Sequence, residues 1–257
     1  MKRFLARLIN RPLSFLGAKI VSASEEGDVE EPGQPNASAL RLRLFKQIAK
    51  KGLRPAHIID VGAHQGWWSR DARQVFPDCA YTLIEPQVEM KPYLDGFCSE
   101  IKNARWILAG AGAASGELTL TIQRQLGGSS FAIPEARARE YGLERRVVPI
   151  VTLDSVCEGS ALPPPAIVKI DAEGLDLDVM RGAQNLIGVT DLFFLELPLF
   201  DAWPTQSFHS IIAFMRERGY EPYDITDLNH RPSDGALALI EVAFAKKVGI
   251  LRDHHGW

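Results

Sequence analysis

Short continuous apolar runs alternate with helically spaced apolar positions along most of this chain. His57-Ile58-Ile59-Asp60-Val61 predicts a buried strand, and Tyr81-Thr82-Leu83-Ile84-Glu85 and Arg105-Trp106-Ile107-Leu108-Ala109 predict a second and a third strand. A glycine turn and a helix over 67–75 follow the first of them. Upstream, Leu40, Leu44, Ile48 and Leu53 recur near helical spacing, and Gly52 marks the end of that helix. Residues 117–123 alternate at period two through Leu118, Leu120 and Ile122, the pattern of a half-exposed strand. Pro163-Pro164-Pro165 precedes another buried strand, Ile167-Val168-Lys169-Ile170-Asp171. A helix with Leu175, Val179, Ala183 and Leu186 on one face comes next, with Asp176 and Asp178 placed to complement its dipole. Leu192-Phe193-Phe194-Leu195-Glu196 predicts a strand, 208–218 a helix closed by Gly219, and 221–225 and 236–246 two final strands.

Alternating strands and helices imply an α/β fold, a doubly wound and mostly parallel sheet with helices on both faces. Only ten residues, 226–235, join the last two strands. A parallel crossover needs about a dozen or more, so the sheet is expected to end in an antiparallel hairpin.

Composition narrows the class. Of 257 residues, 46% are hydrophobic and 24% charged, enough for a sizeable core and against bulk disorder. With 29 basic against 32 acidic residues the net charge is -3, without the basic excess that nucleic-acid binding normally leaves. The cysteines Cys79, Cys98 and Cys157 show neither a disulfide framework nor metal spacing, as expected of reduced thiols in a cytoplasmic protein. No stretch approaches the about 18 apolar residues of a membrane span. The start, Met1 to Pro12, opens like a signal peptide, but Arg7, Asn10, Arg11 and Pro12 interrupt it. Leu5, Leu8 and Ile9 suit a short basic amphipathic helix, docked on the domain or a partner subunit, or touching anionic lipid. The acidic, Pro- and Gly-containing stretch 25–39 reads as a linker, so residues 1–39 are expected to form an arm and linker and 40–257 one domain. The partner expectations leave a homo-oligomer open. His254 and His255 are too few to argue a metal.

In open α/β sheets ligands sit at the carboxyl ends of the strands. The first strand ends Asp60-Val61-Gly62-Ala63-His64-Gln65-Gly66 and the second Glu85-Pro86, 25 residues after Asp60. Gly62 and Gly66 allow a tight turn and close approach. A carboxylate at the position of Glu85 can accept both hydroxyls of a ribose. The turn offers G-x-x-x-G, not the G-x-G-x-x-G of a nicotinamide dinucleotide site. Asp60 also disfavours a pyrophosphate there and suits a cationic ligand portion, such as an ammonium or sulfonium nucleoside.

The stretch from Asp60 to Gly66 resembles the first motif of class I S-adenosylmethionine-dependent methyltransferases. Together with Ile84-Glu85-Pro86, Thr152-Leu153-Asp154, Lys169-Ile170-Asp171-Ala172-Glu173-Gly174 and the strand ending Leu195-Glu196, it resembles the FkbM family. The resemblance runs from about Leu53 to Lys246, and departs from the general class at His64, where a second glycine is common. It implies a Rossmann-like fold of class I methyltransferase type and S-adenosylmethionine as cofactor. Asp60, Gly62, Ala63, His64 and Gly66 would then lie by its methionine part, Glu85 and Pro86 by the ribose, and Ala109 near the adenine. For His64 a purely structural role is equally open.

Asp171, Glu173 and Glu196 end two adjacent central strands, so their carboxylates are expected to converge. Methyl transfer to a hydroxyl needs correct placement and a base, and close carboxylates raise one another's pKa. One of the three could be that base. Alternatively, Asp171 or Glu173 caps the following helix, or the cluster takes a divalent oxygen-liganded metal; no metal ligand is assigned. His209, at the start of a later helix, is a further base candidate. The segments Asp201-Ala202-Trp203-Pro204 and Gly127-Gly128-Ser129-Ser130 read as acceptor-facing loops or as ordinary surface turns. The leading expectation is an O-methyltransferase acting on a hydroxyl of a glycan or secondary metabolite. A non-catalytic partner or scaffold module on the same fold is the alternative, and a nicotinamide oxidoreductase the third.

Overall fold

The computed structural model describes residues 35–158, 160–200, 203 and 206–253. Along the chain run α1 (Pro35–Lys50), β1 (His57–Val61), α2 (Trp67–Arg73), β2 (Ala80–Glu85), α3 (Lys91–Ser99) and β3 (Ala104–Leu108). Then come β4 (Gly110–Ala111), β5 (Gly116–Ile122), α4 (Glu135–Glu140), β6 (Glu144–Val151), α5 (Leu153–Cys157) and β7 (Ile167–Ile170). The chain continues through α6 (Asp176–Arg181), β8 (Leu192–Pro198), α7 (Phe208–Glu217), β9 (Tyr220–His230) and β10 (Leu237–Lys246).

Seven strands form one sheet in the order β3-β2-β1-β7-β8-β10-β9. The first five are parallel, while β10 runs antiparallel to both β8 and β9, the expected terminal hairpin. Order reverses between β1 and β7, which leaves a crevice at the carboxyl ends of these strands. A smaller sheet, β4-β6-β5, is inserted between β3 and β7.

Both faces of the large sheet are covered, and residue alternation decides which side chain joins which core. Ile58, Tyr81, Leu83 and Phe194 pack with Leu44 and Phe45 of α1, Trp68 of α2 and Phe97 of α3. Ile59, Val61, Phe193 and Leu195 face the other way, against α5, α6 and α7. The first core is strongly aromatic: Trp68 lies edge-on to Phe45 and Phe194, with ring centroids 5.2 and 5.1 Å apart. Arg41 of α1 pairs with Asp71 of α2 at 3.2 Å in a buried contact, and Arg43 reaches Asp224 of β9. The helix α1 therefore ties the start of the domain to the far edge of the sheet.

Several expectations need correction. The first helix begins at Pro35, Ala37 is buried, and the Ser38 hydroxyl donates to Asp71 at 2.8 Å. Residues 37–39 thus belong to the folded domain and not to a linker; proline is tolerated in a first helical turn, and the small alanines there carried no apolar period. The rest of the proposed arm, and the pair His254 and His255, lie outside the described residues. The predicted helix through Ala183 and Leu186 breaks at Gly182 into α6 and a single 3-10 turn, Gln184–Leu186. Strands β4 and β6 and the helices α3, α4 and α5 were not anticipated. In β6, Pro149 interrupts the apolar run, and in α3 only Leu94 and Phe97 are buried. Among the described residues no helix is long and apolar enough to cross a membrane.

Phe45 anchors α1 in the aromatic core, so Phe45→Ala is expected to lower stability by about 3–5 kcal/mol in urea unfolding. A loss below about 1 kcal/mol would mean that α1 is not part of the cooperative unit.

Candidate functional site

At the switch point the strand ends enclose a cleft with about 570 Å³ of space between its walls, part of it open to solvent. One wall is Gly62 and His64 after β1 with Glu85, Pro86 and Gln87 after β2. Ala109, Gly110 and Ala111 continue it, Asp171, Ala172 and Glu173 after β7 face it, and Gly127, Ser129 and Phe131 of the insertion close it. The glycine-serine loop after β5 is thus a wall of this cleft. Of the loop 201–204 only Trp203 lies within the described residues, and it is buried.

Glu85 is the last residue of β2, and its side chain is buried at the cleft. One carboxylate oxygen accepts the His64 N–H at 2.8 Å and the other the Gln87 N–H at 2.9 Å, with the Gln87 amide at 3.3 Å. Burial pushes this carboxyl above the ordinary range, and the hydrogen bonds from Gln87 and His64 oppose that push. Nε2 of His64 and Oε1 of Gln87, both buried, have no hydrogen-bond partner among the described residues. The His64 imidazole is held below its usual pKa by burial and by the Lys169 charge, which favours the neutral ring.

Behind the first turn lies Lys169, 5% exposed. Its ammonium donates to the Gly62 carbonyl at 2.9 Å and lies 3.5 Å from Asp60 and 3.3 Å from Asp171. Burial alone would lower its pKa, but the charges of Asp171, Asp60 and Glu241 outweigh burial and hold it protonated. The other oxygen of Asp60 accepts from the Ser69 hydroxyl at 2.6 Å. Asp60 is thus engaged by Lys169 and Ser69 and is not among the cleft residues, while its Oδ1, 3.5 Å from the ammonium, has no hydrogen-bond partner among the described residues. Ala63 and Gly66 likewise shape the turn without lining the cleft.

Asp171, Glu173 and Glu196 lie near enough to act on one another electrostatically. Burial, then the charges of Asp171 and Asp176, push Glu173 well above the ordinary carboxyl range. Burial, then Asp171, Glu173 and Asp176, do the same to Glu196. Asp171 and Glu173 face the cleft, whereas Glu196 stands behind them, opposite Glu241 of β10. His209 sits on the exposed first turn of α7 and is not among the cleft residues.

Neither Asp171 nor Glu173 caps the following helix, whose N-cap position is Leu175. Instead the fully buried Asp176 accepts from the Ala172 N–H at 3.4 Å and from the Gln206 amide at 2.7 Å. Burial pushes Asp176 up to about 6. Asp154 has a structural task, accepting from the N–H groups of Gln184 and Asn185 at 2.9 and 3.0 Å. Among the described residues no group of three or more His, Cys, Asp or Glu side chains is arranged to hold a metal.

The two walls meet through backbone that few residues tolerate. Gly62 has φ +66, and a methyl group there would overlap the Asp171 carbonyl oxygen. His64 and Glu173, one on each wall, adopt φ of 47 and 49. Non-glycine residues held in this region concentrate at functional sites. Lys169, Gln87, Asp176 and Glu241 were not singled out as site residues from the sequence. Each is polar and lies inside an otherwise apolar element or next to a motif residue, a signal that only gains meaning with burial.

The model of the methyltransferase FkbM domain matches residues 60–222, more than half of the chain. The chain belongs to the FkbM methyltransferase family. No curated protein matches significantly. Among solved structures, precorrin-6y C5,15-methyltransferase from Geobacter metallireducens is 13% identical, with 80% of this chain and 87% of that chain covered, at TM-score 0.43. The N-methyltransferase NodS from Bradyrhizobium japonicum is 9% identical, with coverage of 84% and 99% and TM-score 0.46. The O-methyltransferase TomG from Streptomyces achromogenes, in complex with SAM, is 13% identical, with coverage of 84% and 81% and TM-score 0.47. In this FkbM domain, α1 and β10 lie outside the matched residues, yet they supply Arg41 and Glu241 to the polar layer beside Lys169.

Two outcomes follow from these electrostatics. Lys169→Met leaves Asp60 and Asp171 without their buried counter-charge and is expected to cost about 3–5 kcal/mol in denaturant unfolding. For Asp176 the folded pKa of about 6 lies above an unfolded value of about 3.9. The stability this carboxyl contributes is complete below pH ~4 and is lost as pH rises to ~6, a change of up to about 3 kcal/mol. Asp176→Asn lacks that loss, so its stability relative to the parent should climb between pH 4 and 7; a constant difference would refute the assignment.

Proposed function

We propose that this FkbM domain is an S-adenosylmethionine-dependent O-methyltransferase, with a hydroxyl of a small molecule or glycan as acceptor. The observation that carries this reading is the buried Glu85 carboxylate on one wall of a cleft whose facing wall presents Glu173. The acceptor class rests on the family resemblance.

The residues present fit the cofactor. A buried carboxylate ends β2, and two buried polar atoms on the same wall have no partner among the described residues, while Gly62 and Gly110 let the cleft walls pack closely against Asp171 and Phe131. In this reading Glu85 holds the ribose hydroxyls with Pro86 beside it, Gly62 and His64 border the methionine end, and Ala109 borders the adenine. When bound, the cofactor supplies an electrophilic methyl group on a positively charged sulfur.

Two cleft carboxyls compete for the role of base, and their partners separate them. Asp171 is paired with Lys169, whereas the raised pKa of Glu173 makes it the stronger base toward the proton of an acceptor hydroxyl. Burial, then Asp171 and Asp176, raise Glu173, while Glu196 is itself pushed up by burial and by Asp171 and Glu173 and takes no direct part as base in this scheme. The strained backbone of Glu173, whose carbonyl accepts from the Ser130 hydroxyl at 2.7 Å, holds the side chain toward the cleft. His209, exposed on α7, is left with no role in this scheme. All three cysteines are free thiols, which supports a reducing compartment such as the cytoplasm.

The test is calorimetric titration with S-adenosylmethionine, followed by transfer of labelled methyl to fractionated glycans and small hydroxyl compounds. Glu85→Ala should weaken cofactor binding by at least about tenfold. With a base of raised pKa, the rate must rise with pH through a value above the ordinary glutamate range. Glu173→Gln should remove that rise and slow transfer by about 10²–10⁴-fold. No cofactor binding by the parent chain would end this reading.

A further inference from the structure

The inserted segment reaches past the cleft wall to the backbone of the facing one. Ser130, in the loop after β5, is 4% exposed and does not itself line the cleft, although its neighbours Ser129 and Phe131 do. Its backbone is fixed by a two-way pairing with Thr121 of β5, N–H to carbonyl at 3.1 Å in each direction. Its hydroxyl oxygen accepts from the Ala132 N–H at 3.0 Å. An N–H can only donate, so the hydroxyl hydrogen must serve a different acceptor, and it meets the Glu173 carbonyl at 2.7 Å. The hydroxyl therefore has one orientation, and its burial shields the bond from competing water.

That carbonyl opens a peptide between two residues at positive φ, Glu173 at 49 and Gly174 at 100. A residue with a side chain keeps such a conformation only where its surroundings over-determine it. Gly174 is fixed by the Trp203 indole, which a methyl group there would meet at 2.6 Å. Ser130 fixes the other end of the peptide through the carbonyl oxygen. This backbone decides where the Glu173 carboxyl lies, among Asp171 after β7, Asp176 of α6, Glu196 of β8 and the Lys169 ammonium. A carboxyl released from that setting turns to solvent and titrates closer to the ordinary glutamate range.

We propose that Ser130 is a positioning residue: its hydroxyl couples the inserted loop that closes the cleft to the backbone of Glu173, and so holds the Glu173 carboxyl where an acceptor hydroxyl is deprotonated. This deepens the methyltransferase reading and rests on it. The loop wall and the base wall then keep their places together, through one buried bond between segments 43 residues apart.

The experiment is a carboxyl-carbon NMR titration of protein carrying isotopically labelled glutamate, with Glu173→Gln identifying the Glu173 signal. In Ser130→Ala the Glu173 midpoint should fall by at least about one pH unit toward the ordinary glutamate value. Threonine keeps the hydroxyl, and valine matches threonine in shape without it. Ser130→Thr should therefore stay within about 0.3 pH unit of the parent chain, while Ser130→Val falls as Ser130→Ala does. The same pair decides the matter if the alanine variant is too unstable to titrate. Urea unfolding and calorimetric titration with S-adenosylhomocysteine accompany each variant. A merely structural serine would lower stability or S-adenosylhomocysteine affinity and leave the Glu173 titration where it was, and that pattern overturns the proposal. Equal midpoints in the threonine and valine variants overturn it too. Because the titration needs no acceptor, it can fail while the methyltransferase reading stands; that reading falls separately if S-adenosylhomocysteine does not bind the parent chain.

Discussion

The buried ammonium of Lys169 is the interaction on which the site depends. Removing such a charge from water costs several kcal/mol, and here two carboxylates from neighbouring strand ends and one backbone carbonyl offset that cost. The geometry that results is specific. Asp60 and Lys169 are register partners on β1 and β7, so the pair locks the two strands where the sheet order reverses. The Gly62 carbonyl, drawn to the same ammonium, fixes the turn beyond β1. From there the constraint propagates: two residues on, the His64 N–H meets Glu85, Glu85 receives Gln87, and Gln87 reaches the Leu126 carbonyl of the insertion. One hydrogen-bonded series thus crosses from β7 through β1 and β2 to the loop that closes the cleft.

The facing wall is held differently, by backbone strain and by a buried acid. Glu173 sits at positive φ, Gly174 is pinned beneath the Trp203 indole, and Ser130 donates to the Glu173 carbonyl. Asp176 then gathers the Ala172 N–H and the Gln206 amide below the loop. Positive φ at a non-glycine residue costs about 1–3 kcal/mol, and the surrounding packing and hydrogen bonds keep it in place. Carboxyls crowded in this way hold protons far more strongly than exposed ones. The low-dielectric surroundings that stabilise the fold therefore also tune the chemistry of the cleft.

Much of this was legible in the chain. Continuous apolar runs mark β1, β2, β7 and β8 because parallel strands buried on both faces tolerate few polar residues. The acidic residues that interrupt or end those runs, Asp60, Glu85 and Glu196, therefore stand out, whereas Lys169 gained its meaning only with burial. The short linker between the last strands announced the hairpin. What escaped notice were elements with weak or mixed periodicity: α3, with two buried apolar side chains, and β6, with a proline in its run. Of the inserted sheet only β5 was legible, and although the glycine-serine loop carrying Ser129 was read as a candidate acceptor-facing loop, the contribution of Phe131 to the cleft was not foreseen.

By itself, the sequence determined the alternation of strands and helices, the polar residues at the strand ends and the glycines that let two turns meet. These are local properties, set by side-chain period and by allowed backbone angles. Only the tertiary structure decided what each polar group does. Asp60 and Asp171 share the Lys169 ammonium, and Asp171 and Glu173 line the cleft. Charge pairing and burial depend on distances between strands that are far apart in the chain, and no local pattern encodes those distances.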